Sequence, residues 1–244
     1  MKSNGHNTKI FNDVVDRINN PGRGNSKRPF VTLSYAQSLD GSISIRPTAP
    51  VRLSNPVTQV FTHRLRANHQ SILIGIGTLL ADDPLLNVRF ASGENPQPIV
   101  VDSNLRFPLV SRLMRLNDKK PWIASTNFYD KLKAKFIEEN GGKVFHLPEK
   151  DNGWVNLAVL LELLYENGIR SIMVEGGSRI ITSFLNEQLA DQIILTLSPV
   201  MLGGLRGFHN DRAFGIESSP EILNVQYEIL ENNLIIRGDI TQER

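Results

Sequence analysis

The sequence IMVEGGSRIITSF, residues 172–184, contains the clearest strand–turn–helix pattern of the chain. An apolar strand ends at Glu175, two glycines make the turn, and Ser178 starts a helix. Ligands of open α/β sheets bind beyond the carboxyl ends of the strands, where the N–H groups of a helix N-terminus attract phosphate. The stretch therefore predicts a phosphate-binding turn with Glu175 and Arg179 at its rim. A glycine turn chosen only for packing is the alternative, and the spacing does not match the G-x-G-x-x-G dinucleotide fingerprint.

Strands and helices alternate on both sides of this stretch. Apolar runs predict the strands FVTLSY (30–35), SISIR (42–46), SILIG (71–75), PIVVD (98–102), PWIAST (121–126), KVFHL (143–147), SIMVE (171–175) and QIILTLSPV (192–200). Capping residues predict helices at 54–68 with Ser54 as the cap, at 128–139, and at 157–167 after a cap at Asn156. This alternation is typical of a mainly parallel sheet with helices on both faces.

The C-terminal end has a different pattern. ILNVQYEIL and NLIIRGDI flank Glu231–Asn233, which is typical of an antiparallel hairpin. The predicted fold class is therefore α/β, with a mixed, mostly parallel central sheet flanked by helices and an antiparallel C-terminal hairpin at its edge.

Residues 1–28 differ from the rest of the chain. Five apolar residues fit one helical face, and they are followed by the linker-like sequence NNPGRGNSKRP. We interpret 1–28 as a frayed terminal extension and linker, because so few apolar side chains bury little surface alone. A docking helix for a partner subunit is the alternative. Residues 29–244 are predicted to form one domain.

The composition excludes several classes of protein. The 244 residues include 27 Lys+Arg and 25 Asp+Glu, are 40% hydrophobic, and contain no cysteine. An ordinary apolar content predicts a folded chain, and the lack of cysteine excludes thiolate, iron–sulfur and cysteine–zinc chemistry. The histidine spacing fits no helical zinc motif, so no metal is predicted. No apolar run is long enough for a membrane span, no basic block suggests nucleic acid, and a cytoplasmic location is expected.

Two further stretches combine glycine turns with polar side chains. LRANHQSILIGIGTLLADDPLLNVR, residues 65–89, places a glycine turn, a hydroxyl, paired acids and Arg89 close together. Arginine suits bidentate capture of phosphate, whereas Asp83 alone is read as a helix stop. In SYAQSLDGSIS, residues 34–44, Asp40-Gly41 indicates a turn.

Taken together, the blocks AQSLDG, LRA, GIGTLLADDPLLNVR, PIVVD, VEGG-S and LSPVMLGG, in this order over residues 29–205, resemble the reductase domain of the riboflavin-biosynthesis deaminase-reductases. The resemblance implies a dihydrofolate reductase-like fold, a homodimer, and NADPH as cofactor. It also implies a stand-alone reductase, because the chain has neither the cysteines nor the length for the family's zinc deaminase domain.

The resemblance further implies reduction of the ribosyl group of a pyrimidine ribosylamine 5′-phosphate to a ribityl chain, with hydride added at C1′ of an opened imine. The matching substrate positions are Arg66, Leu86, Arg89 and Glu175, and Glu175 is the candidate catalytic carboxylate. The matching cofactor positions are Gln37, Ser44, Thr78, Asp82, Ser103, Gly177, Ser178, Arg179, Ile180, Ile181, Thr182 and Ser183.

Two departures from the family pattern bear on the substrate. Bacterial bifunctional members commonly carry lysine where this chain has Ser34, and a serine hydroxyl can accept a hydrogen bond from an amino group as well as donate one. This favours the diaminopyrimidine over its deaminated product, with both kept open. Arg52 stands near a position that is often aromatic. A reductase of another heterocycle and a non-catalytic nucleotide-binding subunit are the alternative functions.

Overall fold

A mixed β-sheet forms the centre of the molecule. The computed structural model describes residues 9–22, 26–47, 49–126, 130–150, 152–209 and 219–241. Within these ranges the main sheet contains nine strands, namely β1 (Phe30–Ser38), β4 (Ser71–Gly75), β5 (Gln97–Val101), β6 (Trp122–Thr126), β7 (Lys143–Leu147), β8 (Ser171–Gly176), β9 (Gln192–Ser198), β11 (Ile222–Leu230) and β12 (Asn233–Ile240). A smaller sheet contains β2 (Ser42–Arg46), β3 (Ala49–Pro50) and β10 (Leu205–Arg206).

The strand order of the main sheet is β11-β12-β9-β1-β8-β4-β5-β6-β7. Every neighbouring pair from β9 to β7 is parallel. At the other end β12 pairs antiparallel with both β9 and β11. The predicted parallel body with an antiparallel C-terminal edge is therefore confirmed.

Helices cover both faces of this sheet. They are α1 (Lys9–Asn19), α2 (Pro56–Ala67), α3 (Ile76–Asp82), α4 (Lys131–Glu139), α5 (Leu157–Glu166) and α6 (Ser178–Asn186), with a 3-10 turn at Arg112–Arg115. The apolar residues of α5 and α6 pack on one face, against side chains such as Leu33, Leu73 and Val174. On the opposite face α1 and α2 pack against Met173 and Ile194, and α3 and α4 pack against Ile72 and Val100. Because successive side chains of a strand point to opposite faces of the sheet, the buried strands supply apolar side chains to both of these layers.

The start of α2 differs from the sequence prediction. The cap of α2 is Asn55 and not Ser54, because the Asn55 side chain accepts from the Thr58 N–H at 2.8 Å while its amide also reaches the Leu230 carbonyl at 2.7 Å. Helix α4 begins after a cap at Asp130, and the predicted start at Phe128 lies outside the described residues. The predicted cap of α5 at Asn156 is confirmed.

The segment after β4 is a helix where the sequence suggested only a glycine turn. Helix α3 starts directly at Ile76, and Asp83 ends it in the left-handed conformation at φ 38°. The Asp83 carboxylate accepts hydrogen bonds from Ser111 Oγ at 2.7 Å and from the Arg112 N–H. The interpretation of Asp83 as a helix stop therefore agrees with its observed role.

The expectation of a frayed N-terminus is wrong for Lys9–Asn19. Ile10, Phe11 and Val14 are buried against Phe61 and Leu65 of α2, in one cluster with strand residues. The Arg64 guanidinium also lies 3.7 Å from the centroid of the Phe11 ring. Few apolar residues suffice here because they add to an existing core instead of forming one alone. The domain boundary at residue 28 stays a prediction, although α1 packs on the same body as the sheet.

Candidate functional site

A cleft of about 1100 Å³ lies beyond the carboxyl ends of four neighbouring strands. The segments after β4 and β5 contribute Thr78 and Ser103 to its walls, and the end of β8 contributes Glu175. Strand β1 contributes Ser34, and β2 contributes Ser44. Because β1, β8, β4 and β5 are consecutive in the sheet, their carboxyl ends open into one space. This is the position at which α/β sheets of this kind bind ligands.

The double glycine between β8 and α6 forms the floor of this cleft. Gly176 and Gly177 have φ values of 96° and 90°, in the region that favours glycine. A Cβ on Gly177 would lie 2.6 Å from Thr78 Oγ1, and the Thr78 hydroxyl donates to the Gly176 carbonyl at 3.1 Å. No described side chain caps α6 at Gly177. The first N–H groups of α6 therefore lie at the cleft floor without a side-chain acceptor.

Asp40 holds one wall of the cleft in place. Its carboxylate accepts hydrogen bonds from Ser38 Oγ at 2.6 Å, the Leu202 N–H at 2.9 Å, Ser42 Oγ at 2.7 Å and the Gly203 N–H at 2.8 Å. These bonds, that from Ser38 foremost, hold the pKa of Asp40 well below its ordinary value. The sequence pattern predicts only a turn at Asp40. The motifs SLDG (38–41) and MLGG (201–204) contain the residues that bond to each other, but they are far apart in the sequence and only the fold brings them together.

Glu175 and Arg66 form a two-pronged ion pair at the site. Arg66 Nε donates to Glu175 Oε1 and Arg66 Nη2 donates to Glu175 Oε2, each at 2.6 Å. Arg66 Nη1 donates to the Asn87 carbonyl at 3.0 Å. Glu175 lines the cleft, whereas Arg66 is not among its lining residues. The predicted substrate arginine is therefore brought to the predicted catalytic carboxylate, but not to the cleft surface.

The other two predicted substrate residues differ in exposure. The Arg89 side chain is exposed and its Nη1 donates to Asn87 Oδ1, while its backbone N–H donates to Nδ1 of His63. Burial foremost, together with the charges of Arg66 and Arg89, lowers the pKa of His63 to about 4. Leu86 is 2% exposed, packs in the core with φ 51°, and does not reach the cleft. Arg89 thus has free donor capacity that Arg66 lacks.

Most predicted cofactor residues share the cleft. Those that line it are Ser44, Thr78, Asp82, Ser103, Gly177, Ser178, Arg179, Ile180, Ile181 and Ser183. Gln37 lies in β1 and Thr182 in α6, and neither lines the cleft. The Thr182 hydroxyl instead accepts from the N–H of His209, which does line it. Ser178 Oγ donates to the Arg206 carbonyl at 2.7 Å, which ties α6 to β10.

A group of cations at the cleft was missed by the sequence analysis. Arg106 follows β5, Lys150 precedes α5, and both line the cleft together with Arg179. The Arg179 guanidinium lies 5.9 Å from the centroid of the Trp154 ring, and Lys150 forms an ion pair with Glu187. Ser103 Oγ accepts from the Val155 N–H at 3.1 Å, which joins the two loops. These residues have no common spacing in the sequence, so only the fold shows them as a group.

Two classes of feature are absent from the described part of the chain. No group of three or more His, Cys, Asp or Glu side chains there is arranged to hold a metal ion. Among its helices none has the length and apolar character needed to cross a bilayer.

The fold and the cleft define a dihydrofolate reductase-like protein. Dihydrofolate reductase from Enterococcus faecalis, solved with NADP(H), aligns over 87% of this chain and 97% of its own with a TM-score of 0.52. At 13% identity this likeness concerns the fold alone. The family model for the RibD C-terminal domain matches residues 29–226. The chain belongs to this family.

Named relatives within the family are reductases. The 2,5-diamino-6-ribosylamino-4(3H)-pyrimidinone 5′-phosphate reductase of Debaryomyces hansenii is 36% identical over 195 residues, 73% of this chain and 78% of the relative. The protein of the same name from Archaeoglobus fulgidus is 36% identical over 188 residues, 72% of this chain and 83% of the relative. The riboflavin biosynthesis reductase Rib7 of Saccharomyces cerevisiae aligns with a TM-score of 0.76 at 26% identity, over 96% of this chain and 100% of its own.

The contact between Gly177 and Thr78 leads to a prediction about stability. Replacement of Gly177 by alanine places a side chain at positive φ, which costs about 1–3 kcal/mol, and also displaces the Thr78 hydroxyl from its hydrogen bond, worth about 1 kcal/mol more. Gly168→Ala is the matched control, because Gly168 has φ 88° and its Cβ would meet no atom within 4 Å. Denaturant unfolding should show the larger loss for Gly177→Ala. Equal losses would mean that Thr78 does not restrict the turn.

Proposed function

We propose that this chain reduces the ribosyl group of a pyrimidine ribosylamine 5′-phosphate to a ribityl chain in riboflavin biosynthesis, with NADPH as hydride donor. The observation that carries the proposal is that one cleft contains both the Glu175 carboxylate and the uncapped N-terminus of α6. The named relatives act on such a pyrimidinone phosphate, which supports the same substrate class here.

The residues at the floor of the cleft fit a dinucleotide diphosphate. The N–H groups at the start of α6 carry the partial positive charge of a helix N-terminus. Thr78 excludes a side chain at Gly177, so the turn at the cleft floor presents only backbone there. We therefore assign the diphosphate of the cofactor to Gly177–Ser183. When bound, NADPH supplies the hydride.

Glu175 is assigned to the sugar end of the reaction. Opening of the ribosylamine breaks the C1′–O4′ bond, gives O4′ a proton, and leaves a positively charged C1′–N double bond. Hydride addition forms a C–H bond at C1′ and returns the electron pair to nitrogen. A carboxylate held close to this cation stabilises it in the transition state. Glu175 fits this role because Arg66 donates to both of its oxygens and holds the carboxylate at the cleft wall.

Ser34 supports the diaminopyrimidine as the preferred substrate. It lies in β1, is 8% exposed, and lines the cleft. A hydroxyl tolerates an amino donor because it can accept a hydrogen bond, although it can also donate to the carbonyl of the deaminated ring. The diamino compound also stands in the names of both relatives.

The test measures the oxidation of NADPH in the presence of each pyrimidine ribosylamine phosphate. The loss of nicotinamide absorbance is the readout. We expect turnover with the diamino compound and a lower kcat/KM with the deaminated one. The control is NADPH without substrate. Turnover of a dihydropteridine but of neither ribosylamine would instead support the reductase of another heterocycle, and binding of NADPH without any turnover would support a non-catalytic subunit.

The cations at the cleft support NADPH over NADH. Arg106 is exposed, and among the described residues its guanidinium forms only a long contact of 3.9 Å with Asp102 Oδ1, so most of its donors are available there. Arg179 is also exposed, and its guanidinium lies 5.9 Å from the centroid of the Trp154 ring. Guanidinium groups recognise phosphate through paired hydrogen bonds. We therefore assign the ribose 2′-phosphate to Arg106 together with Arg179 and Lys150.

Arg106→Ala tests this assignment. Loss of one charged contact to phosphate corresponds to about 1.5–3 kcal/mol, so the KM for NADPH should rise roughly tenfold or more. The KM for NADH should change little, because NADH has no 2′-phosphate. Arg115→Ala is the control, since Arg115 is an exposed arginine outside the cleft. Equal effects of Arg106→Ala on both nucleotides would place the 2′-phosphate elsewhere.

We also propose that the chain forms a homodimer and works in the cytoplasm. An exposed apolar row on the edge strand β11, formed by Leu223, Val225, Tyr227 and Ile229, supports self-association. Light scattering should give twice the mass of one chain, and Tyr227→Lys should lower that mass if the row is the contact. A monomer at all concentrations would contradict the proposal.

A further inference from the structure

Trp154 presents an exposed aromatic ring at the cleft. It lies on the connection between β7 and α5, lines the cleft, and is 43% exposed. Tyr35 also lines the cleft, but it is only partly exposed and packs against the core. Leaving a large apolar ring in water is unfavourable, and ligand pockets are lined mainly by apolar and aromatic side chains. The Trp154 ring is therefore a candidate contact for an aromatic part of the ligand.

The backbone on both sides of the Trp154 ring is held by hydrogen bonds. The Trp154 N–H donates to Asn152 Oδ1 at 3.1 Å, and the Trp154 carbonyl accepts from the Lys150 N–H at 2.8 Å. The next residue, Val155, is 3% exposed in the core, and its N–H donates to Ser103 Oγ at 3.1 Å. A surface that is already ordered loses less conformational freedom when a ligand binds to it.

The same contacts place the ring beside cations of the cleft. The Arg179 guanidinium lies 5.9 Å from the centroid of the Trp154 ring. Ser103, which bonds to the residue after Trp154, belongs to the connection that also carries Arg106. Both arginines line the cleft, and they are the residues assigned to the ribose 2′-phosphate. Trp154 is therefore at the end of the cleft to which the adenosine half of the cofactor is assigned.

The chemistry of the cofactor connects this position to a purine base. In NADPH the adenine is attached to C1′ of the same ribose that carries the 2′-phosphate on C2′. Because the two groups are on adjacent carbons, a protein that binds the phosphate has the base directly beside it. Bases stack on aromatic side chains, and this interaction needs no particular hydrogen bond. A flat aromatic ring next to a phosphate site is therefore a suitable surface for the base.

We propose that Trp154 is the stacking platform for the adenine of the nicotinamide dinucleotide. The inference rests on the proposed function, because it concerns the cofactor of that reaction. Trp154 contributes equally to the binding of NADPH and NADH, since both contain adenine, whereas Arg106 and Arg179 distinguish between them. Affinity for the dinucleotide and preference for the 2′-phosphate thus come from different side chains at one end of the cleft.

The fluorescence of a single tryptophan tests the contact directly. The chain contains two tryptophans, and Trp122 lies in β6, outside the described cleft lining. Trp122→Phe therefore leaves Trp154 as the only tryptophan. We expect adenosine 2′,5′-bisphosphate, which contains the base and the 2′-phosphate but no nicotinamide, to quench its emission in a saturable way. Trp154→Phe is the matched control, because it should bind the same ligand, as measured by calorimetry, without a change in the Trp122 emission.

Trp154→Leu tests the energy of the contact, because leucine is apolar but has no ring on which a base can stack. We expect the dissociation constants of NADPH and NADH, measured by calorimetry, to rise about tenfold each, as loss of one base–aromatic stack implies. Trp154→Phe should stay within about threefold of the wild type. Arg106→Ala provides the contrast, since it should weaken NADPH alone. The unfolding midpoint of Trp154→Leu should stay close to that of the wild type, because the ring is exposed.

The outcomes separate this proposal from the one on which it depends. A wild-type chain that binds neither NADPH nor the bisphosphate contradicts the proposed cofactor and the platform with it. Unchanged Trp154 emission on bisphosphate binding, or an unchanged affinity of Trp154→Leu, would overturn the platform and leave the proposed function intact. A loss of affinity for NADPH that spares NADH would mean that Trp154 only holds Arg179, which also overturns the stacking role. Quenching without turnover of either ribosylamine would remove the proposed reaction and retain the platform.

Discussion

The close approach of Gly177 to Thr78 is the contact on which the geometry of the site depends. Strands β8 and β4 are neighbours in the sheet, and the connections that follow them meet at this point. The contact leaves no room for a side chain at residue 177 and sets where α6 begins. Because Glu175 is two residues earlier on β8, the same contact sets its place at the cleft. A parallel sheet thus brings a helix N-terminus and a carboxylate together through neighbouring strand ends.

Local sequence signals were sufficient for most of the architecture. Apolar runs located the strands, and Asn156 capped α5 as expected because an asparagine side chain can accept from the first helical N–H groups without help from the rest of the fold. The antiparallel hairpin at the C-terminus was predicted from an equally local signal, two apolar strands on either side of a short turn. The errors had tertiary causes: Asn55 replaced Ser54 as the cap of α2 because it also bonds to Leu230, far along the chain. Helix α1 is ordered because α2 offers it a partner surface.

The site could be predicted only as a set of separate pieces. The turn at Gly176–Gly177 and the Arg66 and Glu175 side chains were each recognised, but Arg66 and Glu175 are 109 residues apart and nothing local shows that they pair. Asp40 and Leu202 are separated by 162 residues, and Arg106, Lys150 and Arg179 come from three different connections. Hydrogen bonds between distant segments depend on strand order, which single-residue patterns do not contain.

The arginines at and near the cleft differ in whether a carboxylate neutralises their charge. Arg106 and Arg179 remain available for the phosphate groups of the proposed cofactor, because neither has a carboxylate within normal hydrogen-bond distance among the described residues. Arg66 is paired with Glu175, so in the proposed reaction it would not repel a cation that develops at the sugar. If Arg66 were free, it would raise the energy of a positively charged C1′–N bond, since like charges at short range in a half-buried space are screened weakly. In the proposed reaction the pairing would therefore turn a cation that opposes the chemistry into one that orients the carboxylate.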